Sequence, residues 1–182
     1  MKIGIVIGSV REGRNGKGIG DWVAARAAER SDAEFVTIDL KEFDLPLMSS
    51  ATLPAMADRK YESANVTRWS EAIDGCDGFV FVTPEYNHGV PGALKNAVDS
   101  LGPEWTGKTI GFVSYGADGG IRSVEQWRQI AANFQMLDVR AQVSISVFAE
   151  CGAGGFTPAE RRPRELATLL DQLVSLTRRL TP

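Results

Sequence analysis

Five short apolar segments recur along the chain, and longer segments with apolar residues at helical spacing separate them. Two of the short segments, Phe79–Val82 and Ile110–Val113, are almost continuously apolar. This pattern is typical of strands that are covered on both faces. The predicted strands are Lys2–Ile7, Glu34–Leu40, Gly78–Thr83, Thr109–Ser114 and Gln142–Phe148.

The segments between the strands predict helices. Pro91 suits a first helical turn, and the C-terminal segment places leucines at positions 166, 169, 170, 173 and 180 on one face. The predicted helices are Gly18–Arg30, Arg59–Asp74, Pro91–Val98, Ile121–Met136 and Pro158–Leu180.

Alternation of five strands with five helices predicts an α/β fold, a single-domain, doubly wound, five-stranded parallel sheet. Because crossovers between parallel strands are right-handed, few topologies remain, and the order 2-1-3-4-5 fits best. We expect residues 1–182 to form this one domain. Residues 44–58 have no clear period, and a loop of this length is usually functional or part of an interface.

Composition excludes several classes of partner. The 182 residues are 43% apolar and 24% charged, which is ordinary for a globular protein. A net charge of −3 with no basic stripe argues against nucleic-acid binding. No apolar run approaches the roughly 20 residues of a membrane helix, and Met1-Lys2 leads directly into a strand rather than a signal peptide. We therefore expect a cytoplasmic protein with no membrane partner.

The chain offers few residues for metal binding or acid–base catalysis. Cys76 and Cys151 are far apart and have no paired spacing, so we expect two reduced thiols and no metal site. His88 is the only histidine, and no nucleophile is spaced to use it. A structural or interface role is therefore the more typical one for His88, and Glu85 has no evident carboxylate partner.

The first strand ends in a turn rich in glycine, serine and arginine, residues Gly8–Gly16. The turn offers the Ser9 hydroxyl, Arg11, and also Arg14 and Asn15, together with free amides before the helix. Such donors match a terminal phosphate monoester. The alternative is a solvated turn that binds no ligand.

This turn matches neither common nucleotide fingerprint. Gly8 and Gly13 have the spacing of a P-loop, but Arg14-Asn15 follows where lysine and serine or threonine are required. The dinucleotide fingerprint is also absent, so we do not assign Asp39, at the end of strand two, to a ribose.

Two later strands end in loops of unusual composition, Thr83–Gly89 and Ser114–Gly120. Pro84 stiffens the first loop, and Tyr86 is suited to packing on a ring. The glycines of the second loop allow close approach of backbone to a ligand. Because strand C-termini share one edge of a parallel sheet, the three loops predict one phosphate-bearing ligand lying across them. Plain turns with a half-buried tyrosine and no ligand are the alternative.

These motifs together resemble the NADPH-dependent FMN reductase family over about Lys2–Ala149. The resemblance rests on Gly-Ser-x-Arg after strand one, on Thr-Pro-Glu-Tyr-Asn-His-Gly-x-Pro-Gly-x-Leu-Lys-Asn-Ala-x-Asp over Thr83–Asp99, and on Tyr-Gly…Gly-Gly after strand four. It implies a flavodoxin-like fold, non-covalent FMN, and reduction by NADPH or NADH. It also implies an enzyme of the FMN reductase or quinone reductase type that forms a homodimer or homotetramer.

The resemblance also assigns site residues. Ser9 and Arg11 would bind the FMN phosphate, helped by Asn15 or Gly16. Residues 84–87 would frame the isoalloxazine, largely through backbone N–H groups, and the loop after strand four would contact the other edge of the ring or the ribityl chain. The implied cofactor-binding residues are Ser9, Arg11, Asn15, Gly16, Pro84, Glu85, Tyr86, Asn87, Ser114, Tyr115, Gly116 and Gly120.

Under this resemblance the flavin carries the hydride chemistry, which explains why no acid–base pair is evident. A ping-pong cycle would deliver electrons to a quinone, an azo compound, free flavin or an oxidised metal. A non-enzymatic flavin-binding electron carrier is the alternative, although such carriers are usually more acidic. A phosphorylation-controlled receiver domain is disfavoured because strand three ends in Thr83-Pro84 and not in aspartate.

Overall fold

The computed structural model describes residues 1–181. Its main sheet has five strands, β1 Lys2–Ile7, β2 Glu34–Asp39, β3 Gly78–Pro84, β4 Thr109–Gly116 and β5 Leu137–Ser146. All neighbours are parallel, and the order is β2-β1-β3-β4-β5, as predicted from the sequence.

Within residues 1–181, six α-helices accompany the sheet, together with a short antiparallel strand pair that was not predicted from the sequence. The helices are α1 Asn15–Ala27, α2 Ala64–Asp74, α3 Gly92–Asp99, α4 Ile121–Asn133, α5 Val147–Glu150 and α6 Arg162–Leu180. The strand pair is β6 Cys151–Gly152 with β7 Gly155–Phe156. The segment between β2 and α2 contains only two 3₁₀ turns, at Leu40–Phe43 and Pro54–Met56.

The two faces of the sheet bury separate hydrophobic clusters. Phe79 and Phe81 of β3 pack with three tryptophans against α2, α3 and α4. Val80 and Val82, the alternate residues of the same strand, pack against α1 and α6. This arrangement explains why β3 is continuously apolar, since both of its faces are covered.

Several element boundaries differ from the sequence prediction. Strand β5 begins at Leu137 rather than Gln142, because Asp138 and Arg140 are exposed on an edge strand and therefore obscured its apolar pattern. The last helix begins at Arg162 rather than Pro158. Helix α1 begins at Asn15, three positions before the predicted Gly18, so its first turn lies closer to the end of β1.

Cys76 and Cys151 are both free thiols, and burial raises the pKa of Cys76 to about 11, which disfavours the reactive thiolate. Within residues 1–181, no three His, Cys, Asp or Glu side chains gather where they could hold a metal ion. Over the same range, no helix has both the length and the apolar character required to cross a bilayer.

Candidate functional site

A cleft of about 290 Å³ lies at the carboxyl edge of the sheet, where β1, β3 and β4 end. The loops that follow these three strands form most of its surface, and the start of α5 closes one side. The lining residues are Ser9, Arg11, Gly13, Arg14, Asn15, Pro84, Glu85, Tyr86, Tyr115, Gly116, Ala117 and Val147. The structure therefore brings the three sequence-predicted loops together at one place.

Eight of the twelve residues that the resemblance assigned to the cofactor line this cleft; they are Ser9, Arg11, Asn15, Pro84, Glu85, Tyr86, Tyr115 and Gly116. The other four lie outside the lining. Gly16 is buried in the first turn of α1, and Ser114 is buried with its Oγ donating to a backbone carbonyl at 2.7 Å. Asn87 is exposed in a turn, and Gly120 caps α4 in a left-handed conformation with φ of 74°.

Arg14 is held by a carboxylate that the sequence reasoning did not assign to it. Its Nη1 and Nη2 donate to the two oxygens of Asp39 at 2.7 and 2.6 Å, and Nη1 also donates to the Ser9 carbonyl oxygen at 2.5 Å. Because β1 and β2 are neighbours, Asp39 at the end of β2 lies beside the turn that follows β1. The pair compensates the charge of Arg14 and stabilises the shape of the turn.

Arg11 has no such partner in the described chain, and it is an exposed residue that lines the cleft. Its guanidinium carbon lies 5.8 Å from the centre of the Tyr86 ring, within the range of a cation–π contact. The Tyr86 hydroxyl and the Ser9 Oγ are 3.0 Å apart and share a hydrogen bond. Tyr86 thus connects the loop after β3 to the loop after β1.

Tyr115 reaches the same turn from β4. Its side chain is only 5% exposed, and its hydroxyl has no hydrogen-bond partner in residues 1–181. A Cβ atom built on Gly16 would lie 2.4 Å from that hydroxyl oxygen, so any side chain at position 16 would displace the Tyr115 hydroxyl. Burial raises the pKa of Tyr115 above its usual range, so the phenol stays protonated and can act as a hydrogen-bond donor.

The carboxylate of Glu85 faces α4 and is nearly buried. It accepts hydrogen bonds from the Arg122 backbone N–H at 2.9 Å, from the Arg122 Nη1 at 2.6 Å, and from the Ser123 N–H at 3.4 Å. These contacts satisfy N–H groups in the first turn of α4 and place a negative charge at its positive end. The Glu85 N–H donates to the Tyr115 carbonyl at 3.0 Å, so the loop after β3 is anchored at both its backbone and its side chain.

The tip of this loop is a tight turn. Tyr86 and Gly89 exchange two backbone hydrogen bonds of 3.1 and 3.0 Å, and Asn87 and His88 between them have φ of 50° and 67°. Two consecutive positive φ values are the signature of a type I′ turn. The His88 carbonyl oxygen accepts a hydrogen bond from Gln126 Nε2 at 2.8 Å, and His88 is an exposed residue.

The donors at one end of the cleft suit the phosphate of a flavin nucleotide. One region is surrounded by the Ser9 and Tyr115 hydroxyls, the amides of the first turn of α1 and the Arg11 guanidinium. A helix N-terminus attracts anions, and a buried hydroxyl without a partner is uncommon in a folded protein. The residues present therefore fit FMN, whose terminal phosphate would supply the missing acceptor.

The fold and this site define a flavodoxin-like nucleotide-binding protein, and comparison with known proteins identifies its family. The model of the NADPH-dependent FMN reductase family matches residues 1–150. The chain belongs to this family. Membership confirms the predicted family and enzyme type, and also the pairing of FMN with a nicotinamide cofactor.

Individual relatives agree. The chain is 38% identical over 135 residues to an NAD(P)H-dependent FMN reductase of Schizosaccharomyces pombe, covering 74% of this chain and 68% of that protein. It is 36% identical over 146 residues to one of Saccharomyces cerevisiae, covering 75% and 76%. Among solved structures, FerB, an NAD(P)H:acceptor oxidoreductase of Paracoccus denitrificans, superposes with a TM-score of 0.75 at 22% identity over 98% of both chains. At 22% identity, the comparison with FerB supports the fold alone.

Proposed function

We propose that this chain binds FMN in the cleft, accepts hydride from NADPH or NADH, and passes the electrons to a small-molecule acceptor in a ping-pong cycle. Quinones, azo compounds, free flavin and oxidised metals are the acceptor classes we consider. The observation that carries the proposal is the cleft itself, which joins a phosphate-type donor set to a rigid wall of loop backbone.

The phosphate end of the proposed site is built on the turn after β1. Ser9 contributes a buried hydroxyl, and Arg11 contributes the cation that is free to approach an anion. Arg14 is already paired with Asp39, so its role is to hold the turn rather than to supply an uncompensated charge. Asn15 begins α1 and contributes a free first-turn amide.

The ring end of the proposed site lies between the loops after β3 and β4. Pro84 is buried and rigid, and a Cβ on Gly116 would lie only 3.4 Å from the Glu85 side chain and 3.3 Å from the Gly120 nitrogen. The absence of a side chain at Gly116 leaves backbone on this side of the cleft. Such a surface suits a flat heterocycle, because backbone and proline present few groups that change position on binding.

Bound FMN supplies the redox chemistry, since its ring system accepts a hydride from the nicotinamide. The residues of the chain bind the FMN and orient it. Tyr86 limits one side of the cleft and is held in place by its hydrogen bond to Ser9. Glu85 is engaged with α4 and the side chain of His88 belongs to an exposed turn, so the proposal assigns neither of them a proton-transfer role.

Anaerobic titration tests the proposal. FMN added to the purified protein should bind, and NADPH or NADH should bleach the absorption of the bound flavin. Addition of a quinone such as menadione should restore the absorption. Saturating FMN with neither binding nor oxidation of the pyridine nucleotide would overturn the proposal, and binding without bleaching would favour the electron-carrier alternative.

The ping-pong order has a separate test. Initial rates measured at several concentrations of NADPH and quinone should give parallel double-reciprocal lines. In a ping-pong cycle the oxidised nicotinamide product leaves the site before the quinone enters. Intersecting lines would show that both substrates occupy the enzyme together and would refute this order.

Self-association as a homodimer or homotetramer is part of the same proposal. The segment at residues 44–58 exposes Leu47, Leu53 and Met56, and contiguous exposed apolar residues often mark protein interfaces. Sedimentation velocity of the FMN-loaded protein should show a dimer or tetramer. A monomer at micromolar concentration would refute this part without affecting the flavin assignment.

A further inference from the structure

We propose that the buried hydroxyl of Tyr115 donates a hydrogen bond to the FMN phosphate, and that position 16 is glycine so that this hydroxyl can reach the phosphate turn. The inference rests on the proposed FMN site and deepens it. The resemblance assigned the loop after β4 to the ring or the ribityl chain, whereas the structure directs Tyr115 to the opposite, phosphate-binding end.

The three tyrosines of the chain provide an internal comparison. The Tyr61 hydroxyl donates to Glu104 Oε1 at 2.5 Å, and the Tyr86 hydroxyl lies 3.0 Å from Ser9 Oγ. Tyr115 is 95% buried, and the Ser9 hydroxyl lies beside its hydroxyl but is hydrogen-bonded to Tyr86. In residues 1–181 the Tyr115 hydroxyl makes no hydrogen bond of normal geometry. Leaving a buried donor unpaired is costly, so such a group indicates a partner that is missing from the protein alone.

The position of this hydroxyl identifies the chemistry of the missing partner. The point where a Gly16 Cβ would lie is 2.4 Å from the Tyr115 hydroxyl oxygen and 3.5 Å from the Ser9 Cβ. Gly16 is the second residue of α1, a helix of 13 residues whose N-cap, Arg14, provides no side-chain cap. The phenol, Ser9 and the uncapped first turn thus share one small region, and all of them are donors.

A phosphate is the ligand group that such donors select. It carries only acceptors near neutrality, apart from a single proton in its monoanionic form. The positive end of a helix also favours an anion. Because burial raises the pKa of Tyr115, the phenol remains a neutral donor at physiological pH and adds no competing negative charge.

The decisive experiment compares FMN with riboflavin, which lacks the phosphate. Dissociation constants of both flavins are measured by quenching of flavin fluorescence, for wild type and for Tyr115→Phe. We expect the FMN dissociation constant to rise by about tenfold to 100-fold, the effect of losing a hydrogen bond to a charged group, and that of riboflavin to change by less than about twofold. Tyr61→Phe removes a hydroxyl that bonds Glu104, in a residue that does not line the cleft, and should leave the preference for FMN over riboflavin unaltered.

Gly16→Ala provides a second variant that leaves the tyrosine intact. The new methyl group would displace the Tyr115 hydroxyl, so FMN affinity should again fall by about tenfold or more while riboflavin affinity is retained. In a Tyr115→Phe background the same alanine should have much less effect on FMN affinity, because the oxygen it displaces is already absent. Circular dichroism confirms that each variant is folded.

The outcomes separate the inference from the proposed function. Wild type that binds neither flavin would refute the proposed function. Wild type that prefers FMN, with the same preference in Tyr115→Phe and Gly16→Ala, would overturn the inference and leave the function standing. Equal loss of FMN and riboflavin in Tyr115→Phe would also overturn it, since Tyr115 would then contact the ring rather than the phosphate.

Discussion

Replacing Asp39 with asparagine removes the negative charge that faces Arg14 while keeping the size of the side chain. In the wild type both carboxylate oxygens accept from the guanidinium, and the two side chains are 6% and 12% exposed. Asparagine retains one acceptor oxygen, which also serves the Lys41 N–H. The substitution therefore leaves a nearly buried arginine charge without its counter-charge.

The expected loss of stability follows from this geometry. Removing one partner of a fully buried ion pair costs about 3–5 kcal/mol. Here one hydrogen bond is retained and Arg14 keeps some access to water, so we expect the free energy of unfolding to fall by about 2–3 kcal/mol. For a chain of 182 residues this corresponds to a decrease of about 4–12 °C in Tm.

Urea denaturation of the FMN-free protein, followed by circular dichroism, measures this loss. The neighbouring pair of Lys41 with Glu12 is a matched control, because Glu12 is 93% exposed and exposed pairs contribute little. Glu12→Gln should leave the denaturation midpoint unchanged. An Asp39→Asn protein as stable as wild type, with an equal m-value, would show that this pair does not stabilise the turn.

Three further substitutions test other parts of the cleft. Arg11→Ala should weaken FMN binding by about 1.5–3 kcal/mol in a fluorescence titration, and an unchanged affinity would exclude Arg11 from phosphate binding. His88→Ala should leave the rate of hydride transfer within about tenfold in stopped-flow experiments, and a much larger loss with intact FMN binding would give His88 a chemical role. Glu85→Gln should lower Tm, because it removes the charge that pairs with Arg122 and the first turn of α4, and an unchanged Tm would show that this contact is not stabilising.

The sheet was predictable because its signal is local. In β1, β3 and β4 the apolar runs are short, β-branched or aromatic, and bounded by turn residues, so their bounds were predicted to within two residues. The edge strand β5 was shortened in the prediction because three of the five residues of Leu137–Ala141 are exposed. The pair β6–β7 was missed because two-residue strands with three glycines around them carry no periodicity.

The meeting of the three loops at one edge of the sheet was predictable from the sequence, but the side-chain pairings around the cleft were not. Three strand ends with unusual composition indicated one edge of the sheet, and eight assigned residues lie in the cleft found there. The contact of Arg14 with Asp39 joins residues 25 positions apart, and that of Glu85 with Arg122 joins residues 37 apart. Such pairs depend on the order of the strands, and an aspartate after β2 or an arginine in α4 has many possible partners in sequence alone.

The loop at residues 84–90 has a consequence for the thermodynamics of ligand binding. Its tip is closed by two backbone hydrogen bonds, and the Glu85 carboxylate accepts a hydrogen bond from the first turn of α4. The Gln126 side chain forms hydrogen bonds with the backbone of His88 and Val90. A wall that is already ordered before its ligand arrives loses little conformational entropy on association. Affinity at this side of the cleft should therefore depend on shape complementarity, and the heat capacity change of binding should reflect buried ligand surface rather than coupled folding of the protein.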